Sequence, residues 1–183
     1  MSLTPDQFDA EFDVLVSSAY RLEALPAYLV PGEDALRRAV AEGAPRPERS
    51  IRTNRWLARI ARTTINGGVD WSRTRVVEDP PTEYQWEQIT GAYAESQAVG
   101  EQIHIVRRVD LPGEPGPDFW LLDEGTPHAR AIRMHYDAEG RWLGADLTMQ
   151  ADVIALLGDR RRQVDELAIP LNAFLAGARG HVA

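Results

Sequence analysis

The stretch from Arg73 to Arg108 limits the architecture more than any other. Arg73–Glu78 (RTRVVE) reads as a strand, Asp79-Pro80-Pro81 breaks it, and Thr82 stands where a helix N-cap belongs. A helical stretch then runs to about Val99, Gly100 closes it, and Gln102–Arg108 (QIHIVRR) is a second strand. Strand, helix and strand in this order make a βαβ unit. Its two strands are expected to be parallel and its crossover right-handed.

The downstream sequence continues with strands. The Pro/Gly-rich loop Leu111–Pro117 leads to Asp118–Asp123 (DFWLLD), a third strand apolar enough to be central. Ala129–Tyr136 and Arg141–Met149 alternate apolar and polar residues about Asp137-Ala138-Glu139-Gly140, which predicts a β-hairpin. Ala151–Ile169 reads as a long helix with Val153, Leu156, Leu157, Val164, Leu167 and Ala168 turned inward. Pro170 stops it, Leu171–Leu175 is a short apolar segment, and the tail from Gly177 is expected to fray.

Upstream, Thr4-Pro5-Asp6-Gln7 is a capping box with proline at the first helical position. Phe8, Phe12, Leu15, Ala19 and Leu22 recur at helical spacing, which predicts a helix stopped by Pro26. A short extended piece at Ala27–Val30, a Pro31-Gly32 turn and a second helix over Asp34–Glu42 follow. Ala44–Ser50 (APRPERS) reads as a linker. A third helix is predicted over Ile51–Asn66, with Trp56, Leu57, Ile60, Ala61 and Thr64 as its apolar face and Gly67-Gly68 at its end. The expected fold is α/β (α+β): a mixed sheet of about five strands in which a β-α-β unit precedes an antiparallel meander, with helices packed on it. The expected organisation is an N-terminal helical arm (1–47) packed on a mixed α/β domain (48–176), then a frayed tail (177–183).

Composition removes whole classes of chemistry. All 20 basic residues are arginine, and the chain has neither lysine nor cysteine. There is thus no P-loop, no Schiff base, no thiol nucleophile and no thiolate metal cage. No HExxH or GxSxG motif occurs, and His104, His128, His135 and His181 form no ligand pattern, so neither metal nor cofactor is expected. No apolar run approaches the ~20 residues of a membrane span. The acidic start (MSLTPDQFDAEF) is unlike a secretory signal, so a cytoplasmic location is expected.

The formal net charge is −8, which disfavours nucleic-acid binding by the whole surface. Residues 46–75 nevertheless carry eight arginines against Glu48 and Asp70, a local +6. Arg52, Arg55, Arg59 and Arg62 fall on one stripe of the third helix. One reading makes the stripe an anion or partner surface, because guanidinium binds phosphate and carboxylate in bidentate fashion. The other pairs it internally with Asp9, Glu11 and Asp13 of the N-terminal arm.

A second candidate lies beyond the carboxyl ends of the parallel strands, where α/β sheets bind ligands. Asp79, Thr82, Arg107 and Arg108 meet there, with Asp118 facing it from a strand start and Trp120 on the same face as Asp118. Tyr84 and Trp86 are further lining candidates. Asp79 and Glu83 already place negative charge at the helix N-terminus, so a phosphate is repelled from it. Asp123 is expected to accept hydrogen bonds in the turn after its strand.

Several stretches resemble an actinobacterial family of uncharacterised proteins, often encoded beside helix-turn-helix transcriptional regulators. They are SAYRLEALPAY at Ser18–Tyr28, the helix around Trp56 followed by Gly67-Gly68, and Arg73-Thr74-Arg75-Val76-Val77. Further on come Pro81-Thr82-Glu83-Tyr84, Gly100-Glu101, Asp118–Asp123, and Ala168-Ile169-Pro170. In order, they span about residues 8–175. The resemblance implies a bacterial protein working with a regulator. The β-α-β unit with Gly-Glu before its second strand also looks like half of a phospholipase D-like domain. Such domains catalyse through a His–Lys pair, which a chain without lysine cannot supply.

Three functions follow as expectations. The first is a non-enzymatic interaction or ligand-sensing domain partnered by a helix-turn-helix regulator. The second is a hydrolase or transferase acting on a phosphorylated small molecule through Arg107, Arg108 and carboxylates. The third is nucleic-acid binding through the arginine stripe.

Overall fold

The computed structural model describes residues 1–29, 42–44 and 49–179. Strands β3 (Asp70–Val77) and β4 (Gln102–Arg107) pair in parallel, from Ser72 opposite Gln102 to Val77 opposite Arg107. The crossover between them is helical from Glu83 to Ala98 in three pieces: α3 (Glu83–Glu87), a π turn (Gln88–Ala92) and α4 (Tyr93–Ala98). Thr82 caps it, its hydroxyl accepting from the Gln85 amide. The π turn carries one residue more per turn than an α-helix would, and Tyr84, Ile89, Tyr93 and Ser96 are all buried.

Beside β3 on its other edge lies β2 (Ser18–Glu23), parallel to it, and next to β2 lies antiparallel β5 (Phe119–Leu122). The hairpin of β6 (Arg130–Tyr136) and β7 (Trp142–Thr148) continues the sheet. Two-residue strands, β1 (Ser2–Leu3) and β8 (Ile169–Pro170), close its edges. The order is β1-β7-β6-β5-β2-β3-β4-β8, a mixed sheet of eight strands among the described residues where about five were expected.

The largest correction concerns residues 11–23. The Thr4 capping box forms, but the helix it starts, α1, covers only Pro5–Ala10. Ser18–Glu23 is not its continuation but a central strand. Phe8, Phe12, Leu15, Ala19 and Leu22 do enter the core, yet Ala19 and Leu22 lie on opposite faces of the sheet. Residues 1–29 therefore form part of the same sheet as the rest and are not a separate helical arm. The short helix expected over Asp34–Glu42, like 45–48 of the linker, falls outside the described residues but for Glu42.

Helix α2 (Arg55–Gly67) starts later than predicted because Asn54 caps it, accepting from the Trp56 and Leu57 amides. Gly68, at φ 63°, ends it in the left-handed region. Its buried Leu57 and Ile60 cover one face of the sheet, where Trp56 and Trp120 meet Phe12 edge to face at centroid distances of 5.0 and 4.9 Å and Trp71 stacks on it at 5.9 Å. Helix α5 (Ala151–Asp165) covers the opposite face, with Leu157 and Val164 on Tyr20, Leu22, Val76 and Phe119. Leu156 and Leu167, expected inside, are exposed. Residues 171–179 form helix α6, so the described part of the predicted tail is helical. Among the described residues no helix is long and apolar enough to cross a membrane.

Candidate functional site

On the α2 side of the sheet lies a cavity of about 560 Å³, within the range of small-molecule sites. Phe8 of α1, Trp56 of α2 and Trp142 of β7 line it, as do Tyr84, Tyr93 and Tyr136. Tyr28 and Leu29 add the segment after β2. That segment is tied to the hairpin turn, the Leu29 amide donating to the Gly140 carbonyl at 2.9 Å. Gly140 sits at φ 84°, and any β-carbon there would lie 2.4 Å from the Ala27 carbonyl oxygen, so only glycine permits this approach. Glu23 and Arg73 form the floor, and Arg49 lies at the rim, 3.4 Å from Glu95.

The floor belongs to a buried charged layer dictated by strand periodicity. Arg21 and Glu23 on β2 stand opposite Arg73 and Arg75 on β3, all on the face under the helices. Arg73 donates Nη1 to Glu23 at 2.8 Å and Nε to Glu101 at 2.9 Å. Arg21 donates to Asp118 at 2.8 Å. Asp118 also accepts from Tyr28 at 2.5 Å and from the Ala24 amide at 2.9 Å, while Tyr93 donates to Glu23 at 2.5 Å. Arg75 is fully buried, and its centre lies 5.0 Å from the Tyr28 ring centroid. Its Nη1 has one long contact, 3.4 Å, to the Tyr28 hydroxyl; its Nε and Nη2, like Nη1 of Arg21, have no hydrogen-bond partner among the described residues.

Burial works to raise the Glu23 carboxyl, but the guanidinium groups of Arg73, Arg21 and Arg75 and the Tyr93 hydroxyl outweigh it and bring it down to about 2. Burial raises the Tyr28 and Tyr93 hydroxyls well above their ordinary value, so both stay protonated donors. Glu23 thus remains a fixed anion at neutral pH and is a poor proton-transfer group. Because its folded value lies below its unfolded one, the stability it contributes is complete above about pH 4.5 and is lost as pH falls toward 2. That amounts to about 3 kcal/mol across the window. Urea midpoints at pH 7, 4 and 3 check this. The fall is expected to be shallower in Glu23→Gln, and an equal fall in both proteins would refute the assignment.

The arginine stripe is differently placed. Arg52 precedes α2, in a turn where its amide donates to Ser50 Oγ, so three arginines and not four lie on the helix. Arg59 is buried, donates to Asp9 at 2.7 Å and Asp13 at 3.0 Å, and lies over the Trp56 ring at 5.7 Å. Arg55 reaches Asp9 at 2.5 Å and Arg62 lies 3.9 Å from Asp13, both largely exposed. Glu11 instead joins Arg130 at 2.7 Å. Arg59→Gln is expected to cost about 2 kcal/mol, against under 1 for Arg55→Gln or Arg62→Gln, because only Arg59 leaves a desolvated gap. Thermal denaturation of the three variants checks the ranking.

The predicted crevice residues are brought together only in part. Asp79 and Arg107 line a separate crevice beyond the ends of β3 and β4, 3.8 Å apart, with Trp86 and Phe174. Arg108 is occupied by Glu78 at 2.8 Å and the Ala24 carbonyl at 2.7 Å. The Thr82 hydroxyl donates to the Pro26 carbonyl. Asp118 belongs to the buried charged layer, and Trp120 to the aromatic core above it. Asp123 does accept in the turn after β5, its carbonyl taking the Thr126 amide at 3.1 Å and hydroxyl at 2.8 Å, and its carboxylate also accepts from the Val16, Ser17 and Ser18 amides. Among the described residues no three His, Asp or Glu side chains are placed to hold a metal ion.

Arg21, Glu23, Arg73, Arg75, Tyr28 and Tyr93 were not singled out by sequence reasoning. For the four charged residues the signal is charge at every second residue of a strand, Arg21 and Glu23 about Leu22 and Arg73 and Arg75 about Thr74; Tyr28 and Tyr93 carry no such signal.

A family model described as a domain of unknown function (DUF6879) matches residues 6–176. No curated protein matches the chain.

Proposed function

The chain belongs to the DUF6879 family, and from that premise we propose that it is a non-catalytic, ligand-sensing domain that binds a small organic molecule in the aromatic cavity and acts with a helix-turn-helix regulator. The observation that carries the ligand part is the cavity itself: about 560 Å³, walled by rings and floored by fixed charges. A site dominated by apolar walls with a few oriented polar groups is the usual form of a small-molecule pocket. Its described lining contains no imidazole, and its one carboxylate, Glu23, is committed to Arg73 and Tyr93. That favours binding over acid–base chemistry. The regulator partner is supported by the family resemblance in the sequence.

The two alternatives draw less support. Arg107 and Arg108 face Asp79 and Glu78, so a phosphorylated substrate would have to displace carboxylates already in place. Arg59, the buried member of the stripe, is engaged by two aspartates. Phosphate contacts on that stripe would break these pairs.

Nile red, an uncharged dye, tests the cavity. The native protein is expected to bind it with a fluorescence rise, and Ala92→Trp, which places an indole at the wall, is expected to weaken binding at least about tenfold. No binding, or equal binding by both proteins, sinks the ligand reading. Co-purification with a helix-turn-helix regulator, where one is encoded beside the chain, tests the partner. Failure to associate, with and without cell extract supplying ligand, counts against it.

A further inference from the structure

We infer that the cavity is built for an uncharged, planar aromatic molecule carrying a hydrogen-bond acceptor, its rings against the Trp56 and Trp142 wall and its acceptor on the guanidinium layer at Arg73. This rests on the cavity being a ligand site and adds the class of ligand.

Charge balance gives the first support. Three guanidiniums, Arg21, Arg73 and Arg75, meet three carboxylates, Glu23, Glu101 and Asp118, in the layer under the cavity. The rim pair Arg49–Glu95 is balanced as well. An ion entering such a site gives up its hydration with no uncompensated countercharge among the described residues to meet it, and burying an unpaired charge is strongly unfavourable. A neutral molecule avoids that loss.

Hydrogen-bond capacity gives the second. Glu23 and Asp118 have both oxygens engaged, and the phenols of Tyr28 and Tyr93 already donate to them. Three buried N–H-bearing atoms in the layer lack partners among the described residues, Nε and Nη2 of Arg75 and Nη1 of Arg21, against one acceptor, Oε2 of Glu101. The layer is therefore short of acceptors. Arg73 is the guanidinium of the layer that reaches the cavity. With Nη1 on Glu23 and Nε on Glu101, its Nη2 carries no bond among the described residues. Arg75 lies directly behind, covered by the Tyr28 ring.

The shape of the site gives the third. Rings from several elements line it, Phe8 against Trp142 at 6.3 Å and Tyr28 against Tyr84 at 6.3 Å and Tyr136 at 5.1 Å, and such ring-lined walls favour a flat π-system as occupant.

Displacement of bound Nile red by three probes of matched size tests the class: 2-acetylnaphthalene, 2-ethylnaphthalene and 2-naphthoate. The ketone is expected to displace the dye at a concentration at least about tenfold below either of the others. Because the ketone is less apolar than the ethyl compound, a preference for it reports the head group and not general hydrophobicity. Naphthoate binding as well as the ketone would overturn the inference in favour of an anion site. An ethyl compound equal to the ketone would overturn it in favour of an apolar cavity without head-group recognition, and so would failure of all three to displace the dye. Each of these leaves the cavity as a binding site, which falls only if Nile red itself does not bind or ignores Ala92→Trp. In Arg73→Gln the advantage of the ketone over the ethyl compound is expected to vanish while the ethyl compound still binds. The probe series on the native protein decides the matter even if that variant does not fold.

Discussion

Asp118→Ala is expected to destabilise the protein by about 3–5 kcal/mol, the range for removing one partner of a buried ion pair. The carboxylate is nearly fully buried and holds three groups from two directions: Arg21 at 2.8 Å, the Tyr28 hydroxyl at 2.5 Å and the Ala24 amide at 2.9 Å. Its loss leaves the Arg21 guanidinium desolvated beside Arg73 and Arg75, with one negative charge fewer to offset them. It also frees Tyr28 from the cavity wall. Asp118→Asn keeps the shape and an oxygen for Ala24 but not the charge, so about half of that loss is expected. Combining Asp118→Ala with Arg21→Met is expected to recover part of it, since the stranded charge goes too. Urea denaturation of the four proteins measures all three quantities. A loss below about 1 kcal/mol for Asp118→Ala would mean that water replaces the carboxylate, and the account of a dry charged layer would fail.

Asp123→Ala should be nearly as damaging, at about 4 kcal/mol, for a different reason. Asp123 is fully buried at φ 53°, a conformation that asparagine and aspartate tolerate better than most residues. One carboxylate oxygen accepts the amides of Val16 at 2.9 Å, Ser17 at 2.8 Å and Ser18 at 3.2 Å; the other meets Arg130 at 2.7 Å. A single side chain at the end of β5 thus fixes where β2 begins. Alanine loses every one of these bonds and adds about 1 kcal/mol of left-handed backbone strain. Asp123→Gly is expected to be milder than Asp123→Ala by about that amount. Asp123→Asn, which keeps the oxygen for the three amides, is expected to be the mildest of the set. Melting temperatures ranked Asn, Gly, Ala from highest to lowest check the assignment; alanine matching glycine would remove the strain component.

Much of this architecture was legible because its signals are local. The Thr4 and Thr82 caps, the glycine after α2 and the β6–β7 hairpin each sit close in sequence to their cause, and the crossover between β3 and β4 is a single run from Asp70 to Arg107. Strand β2 was not legible in the same way. Its apolar residues continue a helical spacing from Phe8, while Arg21 and Glu23 against Tyr20 and Leu22 make an equally good alternation. The tie is broken by β3 and β5, which no local window contains. Misplacing β2 hid the site as well. A helix would scatter Arg21 and Glu23 over its surface, whereas a strand aligns them with Arg73 and Arg75. The π turn has no counterpart in the residue pattern, although it sets which crossover side chains face the cavity. The arginine stripe was visible for the opposite reason: helical spacing is easy to read, but its partners on the 9–13 segment depend on tertiary docking.

The position of β2 bears on how the chain leaves the ribosome. Both its neighbours are made after it, β3 from Asp70 onward and β5 ending only at Leu122, so a hydrophobic segment waits without a mate until β3 is made and without its second until β5. Such distant pairings slow folding and prolong exposure to unwanted association. Arg21 and Glu23, alternating with Tyr20 and Leu22, give the waiting segment a charged edge on every second residue, the kind of gatekeeping that discourages self-association before the mate arrives.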